Sequence, residues 1–291
     1  SIAWYISLKR LVSILKLVPN HYSMSKNDLS KASLAGILVS MGIIFGDIGT
    51  SPLYVLRSIV GNTPVDKDLV MGGVSAVFWT LTLVTTLKYV VLLLEADNKG
   101  EGGIFSLFAL VRRRAKWLVF PALIGGATLL AEGLITPAIS VSAAIEGLRI
   151  VNPEIPTVPI VIAIIVALFS FQFLGTNRVG KSFGPIMFCW FTMLAVIGIL
   201  QISNAPEVLA AINPWYVYWL LTHHPESLWI LGAVFLCTTG AEALYSDLGH
   251  CGKSNIRYAW GLVKISLLLN YFGQAAWVCS LEGELLAGRN P

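Results

Sequence analysis

Seven apolar stretches constrain this chain more than any other feature: residues 33–60, 69–94, 117–148, 158–174, 183–202, 228–247 and 256–281. A helix crosses the hydrocarbon of a bilayer in about 20 mostly apolar residues. Lipid offers no partner to an open backbone, so only helices or closed barrels span it. Only 12% of the residues are charged, against roughly 25% in an average soluble domain. A large soluble core is thereby excluded, and an all-α polytopic membrane protein is expected.

Basic residues then orient the spans, because Lys and Arg concentrate on the cytoplasmic side. A cytoplasmic N-terminus puts the basic groups at 9–31, 99–116, 178–181 and 253–257 inside, and only Arg57, Lys67, Arg149 and Arg289 outside. Lys88 and Lys264 fall near span interiors or ends and take no part in this bias. Residues 1–32 form an N-terminal segment, with an amphipathic, basic stretch at 4–18 that suits an interfacial helix or a cytoplasmic tail equally. Residues 33–291 make up the transmembrane domain. Trp215, Tyr216, Tyr218 and Trp219 suit an interfacial aromatic belt. Single cysteines at 189, 237, 251 and 279 show no CxxC spacing and read as packing residues. His223 and His224 have no third ligand near them in sequence and read as surface histidines.

Acids inside membrane spans face cavities or ion paths. Asp47, Glu132 and Glu242 each fall well inside a span. Glu95, Asp97 and Glu101 fall at an inner end or loop and are expected to be solvated. Around Asp47 the chain reads GDIGTSPLY (46–54). Gly46 and Gly49 permit unwinding, and Pro52 suits the first turn of a restarting half-helix capped by Thr50 or Ser51. Unwound carbonyls in mid-membrane line cavities, where they coordinate cations.

Glu132, Thr136 and Ser140 are spaced four and four, which stacks them on one helical stripe. Pro137 has no amide hydrogen and clashes with the preceding turn, so it frees the Gly133 carbonyl. An oxygen ladder of this kind suits a hard cation, whereas soft metals want Cys or His. A stripe of hydroxyls bonded back to their own helix is the alternative. A second segment mirrors the first: Gly240, Leu244 and Tyr245 match Gly49, Leu53 and Tyr54, and GAVF (232–235) matches GIIF (42–45). Spans one and six run in opposite directions, so the match describes an inverted repeat whose second half needs further spans.

GIIFGDIGTSPLY (42–54), EADNKGEGGIFSL (95–107), AEGLITPAISVSAAIEGL (131–148), TGAEALYSDLGH (239–250) and NYFGQAA (270–276) resemble the KUP (KUP/HAK/KT) potassium-uptake transporters across residues 33–280. The resemblance implies the amino acid–polyamine–organocation superfamily and its LeuT-like core of inverted repeats, with helices 1 and 6 broken. It implies K⁺ uptake coupled to H⁺ in the cell membrane, with later spans and a cytoplasmic C-terminal domain, a site for homodimer formation, beyond these residues. By position, K⁺ falls to Asp47, Tyr54, Glu132, Thr136 and Ser140, with the ion at Asp47 and Glu132. Thr239 and Glu242 fall to proton coupling or the outer cation path, and Gly46, Gly49 and Gly240 to the broken backbone. No cofactor is expected beyond transported K⁺ and H⁺, and no partner beyond these ions, membrane lipid and a second copy; nucleic acid is not among them.

Three rivals stand beside this reading. A proton- or sodium-coupled symporter of amino acids would aim a half-helix at the substrate carboxylate, which Asp47 would repel. A channel would need repeated carbonyl filters. A hydrolase would need Asp47 and Glu242 in contact, and no enzyme signature appears in the sequence.

Overall fold

The computed structural model describes residues 32–286 apart from 114, 150, 151, 153 and 173–175, and the backbone alone over 171–172 and 176–182. The amphipathic stretch at 4–18 lies outside the described residues. All regular elements are helical: α1 (Leu34–Ile44), α2 (Gly46–Thr50), α3 (Val55–Val60), α4 (Lys67–Thr80), α5 (Ile104–Val111), α6 (Val119–Leu148) and α7 (Thr157–Gln172). They continue through α8 (Thr176–Asn204), α9 (Trp215–His223), α10 (Ser227–Phe235), α11 (Ala243–Ser246), α12 (Leu248–Cys251) and α13 (Lys253–Cys279).

Five described helices are long and apolar enough to cross a membrane: Lys67–Glu95, Lys116–Leu148, Phe183–Asn204, Ser227–Ser246 and Lys253–Cys279. α1 and the segment Gly46–Leu53 pass the same test together and meet at a bend of 69°. The remaining expected span lies within α7, whose described apolar part is Thr157–Ser170, so among the described residues six of the seven expected spans meet the length criterion. Large apolar side chains face outward, with Leu130 76% and Leu134 69% exposed on α6. Water would penalise such a surface and lipid does not. The chain is a multi-pass membrane protein.

Membrane helices gain little from hydrophobic contact with one another, so close backbone approach at small residues holds them together. A Cβ on Gly198 of α8 would strike the Leu269 carbonyl, and one on Gly273 of α13 would strike the Gly198 backbone. Gly42 of α1 and Gly184 of α8 meet in the same way. At its start α1 is capped by Ser33, whose hydroxyl accepts from the Gly36 amide at 3.0 Å. Asp66 caps α4 by accepting from the Asp68 amide.

α4 runs on as a π-helix over Leu81–Leu92. The Thr86 hydroxyl donates to the Leu81 carbonyl five residues back, and Thr82 donates to Phe78 four back. Hydroxyls inserted among the carbonyls in this way widen the turn, and π-bulges concentrate at functional sites. The span ends in a loop whose turn, Asn98–Glu101, has positive φ at Lys99 and Gly100, the type I′ pattern. Glu95 is largely exposed, as expected of a solvated acid, and Asp97 less so; Lys253 pairs with both and Arg257 with Glu95. The Lys253 ammonium beside Asp97 holds that carboxyl below its usual range. Glu101 stands against Gly249, where a Cβ has no room.

Of the cysteines, 237 and 251 are buried packing residues as expected, whereas Cys189 is exposed. His223 stacks on Trp219 at 5.2 Å and bonds to Thr222 on an exposed helix end.

Candidate functional site

The two interrupted spans cross at their breaks. α1 ends at Phe45, whose φ of −96° and ψ of 12° leave the helical region, and the chain turns into α2. Gly46 and Gly49 lie inside that short helix with ordinary negative φ, so the glycines do not unwind it. Ser51–Leu53 follow as a 3₁₀ turn with Pro52 in its first positions. Neither Thr50 nor Ser51 supplies the expected side-chain cap. Instead the Thr50 hydroxyl donates to the Asp47 carbonyl at 2.8 Å and lies 3.0 Å from Ser140 Oγ.

α10 passes into a 3₁₀ turn, Leu236–Thr238, and then opens fully. Thr239 is extended and Gly240 has φ +83°, a region that side chains with a Cβ rarely enter. A Cβ at Gly240 would sit 2.6 Å from Asp47 Cβ and 3.1 Å from the Ile48 amide nitrogen. Gly240 is therefore required twice, by its dihedral angle and by the first break lying against it.

Glu132, Thr136 and Ser140 share one stripe of α6, which Pro137 does not interrupt. Ser140 reaches across to Thr50 rather than back to its own helix, and Thr136 is buried. Glu132 and Glu242 line one cavity, and Asp47 stands against Gly240 beside Thr239. Among the described residues no three His, Cys, Asp or Glu side chains close into a cluster able to hold a metal ion. The arrangement is looser: three carboxylates around a junction of hydroxyls and amides, suited to a weakly held hard cation.

The Tyr54 hydroxyl lies 3.3 Å from Ser51 Oγ. A cavity of about 510 Å³ is lined by Tyr54, Ser58, Asn62 and Ser142, together with the Arg57–Glu146 pair at 2.7 Å. A second cavity, of about 330 Å³, is lined by Lys88, Tyr89, Glu132, Thr238, Thr239 and Glu242.

Sequence reasoning missed the groups that secure the first break. Trp190 of α8 donates from Nε1 to the Gly49 carbonyl at 2.8 Å. Gln274 of α13 donates to the Pro52 carbonyl and to Asn270 Oδ1, both at 2.9 Å. The carbonyls expected to be free for a cation are thus partly occupied by side chains. NYFGQAA contains Asn270 and Gln274, yet nothing in its spacing says where they point.

Two helix breaks that meet inside a bundle of apolar spans, with cavities lined by Tyr54 and by Glu132 and Glu242, define a polytopic membrane protein. The family described as "K+ potassium transporter integral membrane domain" matches residues 34–286, and the chain belongs to it. The family is one of transporters, not enzymes. The chain is 60% identical over 268 residues to a probable potassium transport system protein Kup of Flavobacterium psychrophilum, covering 91% of this chain and 41% of that relative. It is 61% identical over 266 residues to the Kup protein of Cytophaga hutchinsonii, with 90% and 40% covered. With that of Enterococcus faecalis it shares 53% over 283 residues, 91% and 42% covered. The chain thus spans about two fifths of the length of the curated relatives it matches. No solved structure matches it.

Proposed function

We propose that these helices form part of a K⁺ importer that moves K⁺ with H⁺ by alternating access between LeuT-like inverted repeats. The observation that carries this reading is the contact between the breaks, with Gly240 against Asp47 and the Glu132–Thr136–Ser140 stripe meeting Thr50 beside it. K⁺ is held, stripped of water, by Asp47, Tyr54, Glu132, Thr136 and Ser140. Oxygen ligands with two carboxylates replace its hydration shell at tolerable cost. Glu242 and Thr239, which line the cavity with Lys88, carry the proton or the outer cation path. A carboxylate favours its ionised form beside a cation and its neutral form without one, which links K⁺ occupancy to protonation.

The membrane potential supplies the drive. One positive charge moving inward across 100 mV releases about 2.3 kcal/mol, enough for roughly fifty-fold accumulation. A second charge, brought by H⁺, roughly squares that factor. The organic-solute reading loses ground because Asp47 stands where a substrate carboxylate would have to approach the half-helix.

The test is Rb⁺ uptake by the full-length protein in cells lacking other K⁺ importers, comparing wild type with Asp47→Asn and Glu132→Gln at equal expression. Uptake in wild type and its loss in both variants is expected. Unchanged uptake in the variants places the cation elsewhere, and an organic solute transported in place of Rb⁺ removes the potassium reading.

A further inference from the structure

Four basic side chains stand at or near the interrupted spans, and three of them are spent. Arg57 is paired with Glu146, Lys253 with Asp97 and Glu95, and Arg257 with Glu95. Lys88 differs. It is exposed to the 330 Å³ cavity, and its ammonium rests 4.8 Å from the centroid of the Tyr89 ring. Glu132 and Glu242 line the same cavity.

The backbone explains why Lys88 faces these acids. In a π-helix hydrogen bonds close five residues apart, so positions i, i+4 and i+5 gather on one face. Val84, Lys88 and Tyr89 have that spacing, lie in the π stretch and all line the cavity. The widened turn thus presents a monovalent cation, and an aromatic face to hold it, opposite two carboxylates.

We propose that Lys88 is an internal counter-cation that competes with the transported ion for Glu132 and Glu242. This rests on the reading of the site as a K⁺ path. The Lys side chain is a compact charge on a flexible four-carbon stem. With K⁺ bound, the ammonium withdraws to the Tyr89 face, held by cation–π attraction. As K⁺ leaves, the ammonium swings toward the carboxylates and neutralises them, so the emptied site is not a cluster of uncompensated negative charge. A cavity of 330 Å³ is roughly 9 Å across, a span that the ammonium on its flexible stem covers by changing rotamers. Lys88 weakens K⁺ binding and speeds its release; it is a positioning residue, not a K⁺ ligand.

The experiment measures Rb⁺ uptake against Rb⁺ concentration for the full-length protein in proteoliposomes, wild type beside Lys88→Met and Lys88→Arg. Lys88→Met is expected to lower KM by about tenfold and to reduce the maximal rate, since tighter holding slows release. Lys88→Arg, which keeps the charge, is expected to stay within about twofold of wild type in KM. If Lys88→Met folds poorly, Lys88→Gln carries the same expectation. An unchanged or raised KM in the neutral variants overturns the proposal, as does an equal drop in KM for Lys88→Arg, because size rather than charge would then matter. Wild type that takes up no Rb⁺ overturns the potassium reading and the proposal with it, an outcome visible before any variant is compared.

Discussion

The two breaks look alike in sequence and are built differently. The first, at Phe45, is a bend between helices that keep helical backbone on either side, and its exposed carbonyls are bound by Thr50, Trp190 and Gln274. The second, at Thr239–Gly240, is truly opened, with extended and left-handed backbone and, among the described residues, no side chain of α8 or α13 bonded to it. A tied break is a fixed wall, and an open one is a place where φ and ψ can change. The difference assigns stiffness to Asp47 and movement to the strip that carries Thr239 and Glu242.

Glycine substitution separates the two most sharply. Gly240→Ala is expected to cost at least about 2 kcal/mol from its positive φ alone, with the collision at Asp47 in addition, and to abolish uptake. Gly46→Ala meets nothing within 4 Å and sits in helical backbone, so expression, melting temperature and uptake should remain at wild-type level. Equal tolerance at both positions would erase the distinction.

Trp190→Phe comes next. It leaves the buried Gly49 carbonyl without its side-chain donor, at a cost of roughly 1–3 kcal/mol, readable as a lower melting temperature in detergent. An unchanged melting temperature would mean that the first break does not need its ties. Glu146→Gln should cost under about 1 kcal/mol, because both members of its pair with Arg57 are about two fifths exposed. Its effect should shrink further at high salt.

The smallest effect concerns the loop after the π stretch. Asp97 is held below its usual carboxylate range by Lys253, and by the Gly100 amide. A depressed folded-state value stabilises the fold above the unfolded-state value, and that contribution is lost as pH falls through the folded one. Acidification below about pH 4 should therefore loosen this loop, and Lys253→Met should weaken the pH dependence, leaving the part due to the Gly100 amide, as followed by hydrogen exchange at residues 95–103.

Much of the architecture was legible because single residues carried it. An acid in an apolar run, a glycine–proline break and a four-and-four oxygen stripe are local signals with one physical reading each. Gly240 falls at an opened break and Gly46 and Gly49 lie in helical backbone, a difference hidden from the sequence because glycine permits unwinding without requiring it. Trp190 and Gln274 could not be found this way, lying 141 and 222 residues from the carbonyls they bind. The π-helix was hidden too: threonine hydroxyls in an apolar helix are common, and only their carbonyl partners reveal the widened turn. The partners of Glu95 and Asp97 were hidden as well, because they lie across the fold in α13.

The glycine contacts between α8 and α13 bear on how any motion here is distributed. Gly198 and Gly273 bring the two backbones together with no layer of side chains between them. Interdigitated side chains can slip past one another like gear teeth, but touching backbones offer nothing that can be compressed or re-meshed. The same two helices hold Trp190 and Gln274, so the first break is anchored to a pair of helices in direct backbone contact. Distances measured from α8 and α13 should therefore stay constant through a transport cycle, leaving them as the frame in which every other displacement is expressed.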